Sequence, residues 1–338
     1  MKRRRILSID GGGIKGVFPA SFLAEIEKTL NLKFIGNYFD LIAGTSVGGI
    51  IALGLGLGLT ACNLADFFVK EGPAIFPRNG FSKSALRLFL GTPKYKPDRL
   101  ERALQKQFDS KILADSRVRL VIPAFDATCA DIHIYKTAHD QRFETDYNLK
   151  AVEVAMATAA APTYFPAYDS DHGITLVDGG IWANNPTAIA VVEAVTVLGW
   201  NGDEIDVLSL GCTEETLDFK ENGRGPFFWF RRALEAAMRG QSRAALGTAR
   251  HLTGRDKELD NVVRIDPIVA DGRFSLDRTS GIGDLQGLAY SQARQAIPKL
   301  KARFFATEAE RFNSLRPGRA ADGSAAGGWP TVERGTGV

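Results

Sequence analysis

Short apolar runs alternate along most of the chain with longer segments whose hydrophobic residues recur at helical spacing. The runs predict buried strands over 5–9, 39–43, 117–125, 174–177, 205–210 and 261–266, with 131–135 completing a hairpin. The periodic segments predict helices over 16–30, 46–59, 61–71, 97–108, 149–161, 186–198 and 284–305. Strands that alternate with helices favour an α/β fold whose mainly parallel sheet is covered on both faces.

Three regions depart from this pattern. Residues 72–95 combine prolines with aromatic and basic residues, which predicts an excursion that caps the domain. After residue 211 the pattern loosens, although a helical run continues to about residue 240. From residue 316 onward Gly, Ala, Pro and Arg predominate, so we predict one domain over 1–315 and a disordered tail over 316–338.

Composition restricts the possible functions more than it restricts the possible folds. The 338 residues are 45% hydrophobic and 24% charged, which is ordinary for a globular protein. The net charge of +3 is too small to indicate a DNA or RNA polymer as partner. Cys62, Cys129 and Cys212 are scattered without CxxC spacing, which indicates reduced thiols, and we read Cys129 and Cys212 as core residues.

The chain offers no clear targeting or spanning segment. A basic N-terminal run precedes an apolar stretch that Asp10 ends too early for a secretion signal. Residues 42–62 carry no charge and approach membrane-spanning length, but six glycines and a polar turn favour a buried helix. We therefore expect a cytoplasmic protein.

A serine lies between glycines in Gly44-Thr45-Ser46-Val47-Gly48, after a predicted strand and before a predicted helix. A sharp turn of this kind exposes the serine hydroxyl at the helix N-terminus, and Gly44 and Gly48 permit strained backbone and close packing. The pattern predicts a nucleophile elbow, although a glycine turn that merely contains a serine has the same sequence.

Asp178 ends a predicted strand and precedes Gly179 and Gly180. In open α/β sheets ligands gather at the carboxyl ends of the strands, so Asp178 and Ser46 can meet there. A carboxylate at this place can accept the proton of the serine hydroxyl, although an aspartate that only caps a turn would have the same surroundings in sequence.

No histidine fits a serine–histidine–aspartate triad. Only His251 follows Asp178, and it lies in a charged helical stretch, while His172 lies in a polar loop six residues before Asp178. We expect all four histidines to be surface or loop residues and favour a dyad of Ser46 and Asp178.

A glycine cluster, Gly11, Gly12 and Gly13, follows the first strand and precedes Lys15. Successive backbone N–H groups in such a loop bind anions and, if aimed at Ser46, would form an oxyanion hole. The loop also matches the GxGxxG pattern of dinucleotide-binding proteins, so a Rossmann-type oxidoreductase is the alternative. Against it, the serine motif occupies the strand end where an acidic residue should hold the ribose.

In combination these motifs resemble the patatin-like phospholipase family. The segments that carry the resemblance are 5–16, 44–48, 160–165, 177–180 and 182–186. It covers a core over 5–211 and leaves 212–315 as a C-terminal extension of the same domain. The resemblance implies a three-layer α/β/α fold that hydrolyses lipid acyl esters without a metal or other cofactor.

The same resemblance implies roles for individual residues. Ser46 and Asp178 would form the catalytic dyad, and Lys15 would lie near the lipid phosphate. The oxyanion hole would be formed by Gly11, Gly12 and Gly13.

The core spacing and the length of the extension are also similar to those of effector phospholipases of cyclic-oligonucleotide antiphage defence (CBASS, CapV-type). This similarity implies membrane phospholipid as substrate and a cyclic dinucleotide as activator. Arg231, Arg232, Arg239 and Arg243, near the aromatic run 227–230, could contact its phosphates, but an amphipathic segment that covers the core or faces a membrane explains them as well.

A lipid substrate gives the excursion a second interpretation, since its basic and apolar residues suit the surface of an anionic membrane. They are Phe76, Arg78, Phe81, Lys83, Leu86, Arg87, Leu88, Phe89, Leu90 and Lys94. An ordinary capping helix with solvated charges explains them equally well. We expect peripheral action at the inner face of the membrane, and the sequence leaves open both an oligomer and a catalytically silent lipid-binding module.

Overall fold

The computed structural model describes residues 3–77, 92–216, 226–254 and 260–316. Within these ranges the strands are β1 (Arg4–Ile9), β2 (Leu41–Gly44), β3 (Arg119–Asp126), β4 (Asp131–Lys136), β5 (Tyr168–Asp169), β6 (Thr175–Asp178), β7 (Ile205–Leu210), β8 (Glu214–Glu215), β9 (Val262–Ile265) and β10 (Ile268–Val269). The helices are α1 (Val17–Thr29), α2 (Val47–Gly56), α3 (Ala61–Ile75), α4 (Pro97–Phe108), α5 (Ala151–Thr158), α6 (Gly180–Ala183), α7 (Thr187–Val192), α8 (Pro226–Leu252) and α9 (Ile282–Phe304).

The main sheet has the strand order β5-β6-β3-β2-β1-β7-β9, with β4 also paired to β3. Strands β1, β2, β3, β7 and β9 are parallel, as predicted. Strands β4 and β6 run antiparallel to β3, so the sheet is mixed on that side. The prediction of a mainly parallel sheet gave no direction for β6, which forms a hairpin with β5, and the two residues of β5 carry no recognisable strand pattern.

Strand β3 explains how the two chain segments of the site meet. Val121 pairs with both β2 and β4, and Ala124 pairs with both β4 and β6. Since a strand has only two edges, β2 and β6 lie along the same edge of β3, and their carboxyl ends face each other. Pro123 lies at the gap between them, where a missing N–H costs no ladder hydrogen bond.

The apolar side chains divide into two cores, one on each face of the sheet. Leu7 of β1 belongs to the core beneath α1, α2 and α9, whereas Ile6 belongs to the core beneath α7 and α8. This alternation is the two-residue period of a strand buried on both sides. Helices therefore cover both faces, and the predicted three-layer α/β/α fold is confirmed.

The C-terminal extension is integrated into this architecture. Strand β9 continues the sheet beside β7, and Leu285, Ala289 and Phe304 of α9 are buried in the same core as α1. No helix in the described part of the chain is both long enough and apolar enough to cross a membrane.

The excursion differs partly from its prediction. Helix α3 continues to Ile75, past the predicted end at residue 71, and Phe76 packs its ring against Tyr95 and Phe165 at centroid distances of 5.4 and 5.9 Å. Phe76 is thus half-buried rather than exposed. The residues of the excursion from Arg78 to Leu90, and the tail beyond Arg316, lie outside the described residues.

Candidate active site

Ser46 stands on the turn between β2 and α2 with φ 56° and ψ −123°, a strained conformation for a residue with a side chain. Close backbone packing holds the turn. A Cβ on Gly44 would lie 2.1 Å from the carbonyl oxygen of Gly48, and a Cβ on Gly48 would lie 2.3 Å from that of Ile9. Both positions therefore require glycine, and the sharp turn presents Ser46 at the N-terminus of α2.

The carboxylate of Asp178 meets this serine. The Ser46 side chain lies within hydrogen-bonding reach of this carboxylate and lowers its pKa, and the Gly180 amide donates a hydrogen bond to it at 2.7 Å. Burial raises the pKa of Asp178 to about 6, and the two hydrogen bonds only partly oppose that effect. At pH 7 to 8 Asp178 is mostly ionised, so it can accept the proton of Ser46.

The glycines beside Asp178 are fixed by close contacts as well. A Cβ on Gly179 would lie 2.3 Å from the carbonyl oxygen of Pro123, and a Cβ on Gly180 would lie 3.0 Å from Oδ1 of Asp178. The Asp-Gly-Gly sequence thus lets the end of β6 approach β3 and turn its carboxylate back towards Ser46.

The glycine loop that follows β1 also lies against the serine. A Cβ on Gly11 would lie 3.3 Å from the Cβ of Ser46, and Gly13 has φ 55°, which favours glycine. The Gly11 amide, however, donates to the Asn184 carbonyl at 3.0 Å, so it does not serve as an oxyanion donor here. Within the described ranges the amides of Gly12 and Gly13 have no acceptor, which leaves them as the candidate donors.

Lys15, predicted near a lipid phosphate, turns away from solvent in this structure. Its Nζ donates to the Thr213 carbonyl at 3.3 Å and lies 3.9 Å from the Glu215 carboxylate. The ammonium is therefore held by the segment after β7, next to the glycine loop.

A buried ion pair under the glycine loop was not foreseen. Arg264 of β9 donates to both carboxylate oxygens of Asp10, at 2.9 and 2.5 Å, and to Asp266 at 2.7 Å. Burial raises the pKa of Asp10 to about 6, although the Arg264 charge opposes this. Asp10 directly precedes the glycines, so this pair fixes the base of the loop.

Two further residues position the elbow. The Thr158 hydroxyl accepts from the Ser46 amide at 3.0 Å and donates to the Pro123 carbonyl at 2.6 Å, which joins the serine turn to β3. Asn184 contributes the carbonyl that holds Gly11. The segment 182–186 was part of the family resemblance, which was the one available signal for Asn184.

The histidine and cysteine predictions hold only in part. His172 and His251 are exposed, and His139 lies in a loop, although it is buried there at 2.9 Å from both Thr137 and Glu193. His133 departs from the prediction, because it is half-buried within β4. Cys212 is buried as expected. Cys129 is exposed in the β3–β4 turn, because the apolar run ends before it.

Comparison with known proteins agrees with this geometry. The family model described as patatin-like phospholipase matches residues 7–191. A cGAMP-activated phospholipase from Vibrio cholerae is 32% identical in an alignment 344 positions long, gaps included, which covers 91% of this chain and 96% of that protein. A second protein of that name, from Pseudomonas aeruginosa, is 36% identical over 207 residues.

The Pseudomonas match spans 61% of each chain, less than two thirds of that relative's length. Patatin-like protein 2 from Oryza sativa subsp. indica is 36% identical over 221 residues, or 57% of this chain and 53% of the plant protein. These matches do not favour the dinucleotide-binding oxidoreductase. The family model covers more than half of the chain and includes the elbow, Asp178 and the glycine loop, so the chain belongs to the patatin-like phospholipase family.

Proposed function

We propose that the chain hydrolyses carboxylic esters of membrane phospholipids through an acyl-enzyme on Ser46. The Ser46 Oγ attacks the ester carbonyl carbon while its proton passes to Asp178. The amides of Gly12 and Gly13 hold the resulting oxyanion. Collapse expels the lipid alcohol, which takes the proton from Asp178. Asp178 then deprotonates a water that attacks the acyl-enzyme, and the Ser46 oxygen leaves with that proton as the fatty acid is released.

The single observation that carries this proposal is that the Ser46 side chain lies within hydrogen-bonding reach of the buried Asp178 carboxylate. It joins a nucleophile on a strained turn to a buried base, and no imidazole is needed between them. The pKa of about 6 keeps Asp178 ionised at neutral pH yet basic enough to share a proton.

Apolar residues on two sides of the site support a lipid substrate. Ile181, three residues after Asp178, is 54% exposed, and Leu276, whose carbonyl faces the glycine loop, is 37% exposed. Exposed apolar side chains around a catalytic site suit the surface of a bilayer. We therefore propose peripheral action at the inner face of the membrane, with Lys15 as a candidate contact of the lipid phosphate.

The printed names of the relatives support a regulated enzyme. The Vibrio and Pseudomonas proteins are both called cGAMP-activated phospholipases. We propose that a cyclic dinucleotide likewise activates this chain, as an effector of antiphage defence that degrades the cell membrane.

Fatty acid release from phosphatidylglycerol vesicles, with and without cyclic GMP-AMP, tests the proposal. Wild type is expected to release fatty acid and to do so faster with the nucleotide. Ser46→Ala should lower the rate by at least about 10³-fold, because the nucleophile is lost. Ser291→Ala, at an exposed position of α9, is the matched control and should behave as wild type. Wild type that binds vesicles but releases no fatty acid under either condition would instead favour the silent lipid-binding module.

A further inference from the structure

The segment 212–215, which follows β7, contacts the glycine loop. A Cβ on Gly12 would lie 2.4 Å from the Cβ of Cys212, whose thiol lies 3.4 Å from the Asp10 carbonyl. The carbonyl of the next residue, Thr213, accepts a hydrogen bond from the Lys15 ammonium. Any movement of this segment therefore alters the packing of the proposed oxyanion donors.

The other end of the segment is held by two arginines of α8. The Glu214 carboxylate lies 3.1 Å from Nε of Arg239 and 2.9 Å from Nη2 of Arg243. Arg239 also donates to the Glu215 carbonyl. The arginines are four positions apart in the sequence, so they lie one helical turn apart on the same face of α8. The segment thus links α8 directly to the glycine loop.

Thr213, in the middle of this link, is strained. It has φ 78°, which a β-branched residue rarely adopts. It is buried, and its hydroxyl has no hydrogen-bond partner among the described residues. Strain of this kind persists only where surrounding contacts impose it, and here those contacts include the ion pairs of Glu214.

The charges around the segment favour an added anion. Arg239 and Arg243 both pair with the single carboxylate of Glu214, so two guanidinium charges share one negative charge at this point. The Arg243 side chain is 63% exposed, and ion pairs this exposed contribute little to stability. Phosphate oxygens accept paired hydrogen bonds from a guanidinium as well as a carboxylate does. A ligand with two phosphodiester groups can therefore compete with Glu214.

We propose that Arg239 and Arg243 bind the phosphates of the activating cyclic dinucleotide, which displaces the Glu214 carboxylate and releases the segment 212–215 from α8. This inference rests on the proposed nucleotide activation. Release lets Thr213 leave its strained conformation, frees Lys15 for the lipid phosphate and changes the packing of Cys212 on Gly12. Of the other two arginines of the predicted cluster, Arg232 pairs with Glu235 and Asp271, and the Arg231 side chain lies outside the described residues.

Calorimetric titration of the full chain with cyclic GMP-AMP tests the site without relying on hydrolysis. The double variant Arg239→Gln/Arg243→Gln should bind the nucleotide at least about tenfold more weakly, because two charge-assisted hydrogen-bond donors are lost. Glu214→Gln should bind up to about fivefold more tightly, because the internal competitor has lost its charge. Arg250→Gln is the matched control, since Arg250 lies on the same helix and pairs with Asp260 instead.

Three results would contradict the proposed nucleotide site, and a fourth would separate it from the hydrolase proposal. The site is wrong if wild type binds no cyclic dinucleotide, or if the double variant binds it as tightly as wild type. It is also wrong if the double variant keeps nucleotide affinity but loses affinity for phosphatidylglycerol vesicles, because the arginines would then serve a lipid surface. If nucleotide binding depends on the arginines while no chain releases fatty acid, the hydrolase proposal fails and the binding site stands.

Discussion

The sequence Asp-Gly-Gly occurs twice at the same edge of the sheet, once after β1 at Asp10 and once at the end of β6 at Asp178. Both carboxyl groups are buried, and burial raises the pKa of each to about 6. In both places the glycines allow contacts that a Cβ would obstruct. By sequence, burial and pKa the two sites are nearly equivalent.

Their partners differ. The Asp10 carboxylate accepts two hydrogen bonds from the guanidinium of Arg264, whose positive charge is permanent and only 13% exposed. Asp178 receives a hydroxyl and an amide, and among the described residues no cationic side chain contributes to its pKa shift. Asp10 therefore serves as a fixed anion that anchors a loop, whereas Asp178 can take up and return a proton. The comparison teaches that the partner, rather than the motif, decides the role of the carboxylate.

The largest expected effect is a difference in catalytic activity between variants of the two carboxylates. Asp178→Asn should lower kcat for a soluble ester at pH 8 by about 10²- to 10⁴-fold, because the general base is lost. Asp10→Asn should lower kcat by less than about tenfold in the folded protein, because no proton passes through Asp10. Initial rates, with folding checked by circular dichroism, measure both. Equal losses would mean that the loop anchor matters as much as the base.

The next effect concerns folding stability and the charge that pairs with Asp10. Arg264→Met leaves Asp10 buried without its counter-charge and should lower the free energy of unfolding by about 3–5 kcal/mol at pH 8. The loss should shrink at pH 5, where Asp10 takes up a proton. Arg294→Met, an exposed residue of α9 paired with Glu25, is the control and should cost less than about 1 kcal/mol. Urea unfolding measures both, and similar values for the two variants would contradict a structural role for the buried pair.

The sequence predicted the parts of this comparison that depend on local pattern. Hydrophobic periodicity predicted β1, β7, β9 and most helices, and the motifs predicted that Ser46 and Asp178 meet. It did not predict the direction of β6, because an apolar run of four residues has the same pattern in either direction. Asp178 reaches the site from the opposite side of the gap, which no periodicity encodes.

Long-range partners were the other omission. Arg264 lies 254 residues after Asp10, and nothing near either residue identifies the other. The same is true of Thr158, which looks like one more polar residue at the end of an alanine-rich helix. The occupied amide of Gly11 was invisible for a related reason, since its acceptor is a main-chain carbonyl. A backbone acceptor leaves no trace in the sequence.

The smallest expected effect is the pH dependence of folding stability that Asp178 causes, and the direction of this dependence follows from its pKa. The pKa of Asp178 is about 6 in the folded chain and near 3.8 in the unfolded chain. Between these values the folded chain holds a proton that the unfolded chain has lost, so stability falls as pH rises through this window. Asp178→Asn removes that fall and should raise the free energy of unfolding by about 3 kcal/mol at pH 8, and by about half as much at pH 5.

Urea midpoints at the two pH values measure this gain, and Ser46→Ala is the control because it changes the dyad but leaves the carboxylate in place. Suppose that Asp178→Asn raises the free energy of unfolding and Arg264→Met lowers it. One buried carboxylate is then kept for catalysis at the expense of stability, while the other stabilises the loop. If Asp178→Asn were no more stable than wild type at pH 8, the hydrogen bonds from Ser46 and Gly180 would fully compensate the burial. The two carboxylates would then differ in proton transfer but not in their contribution to folding.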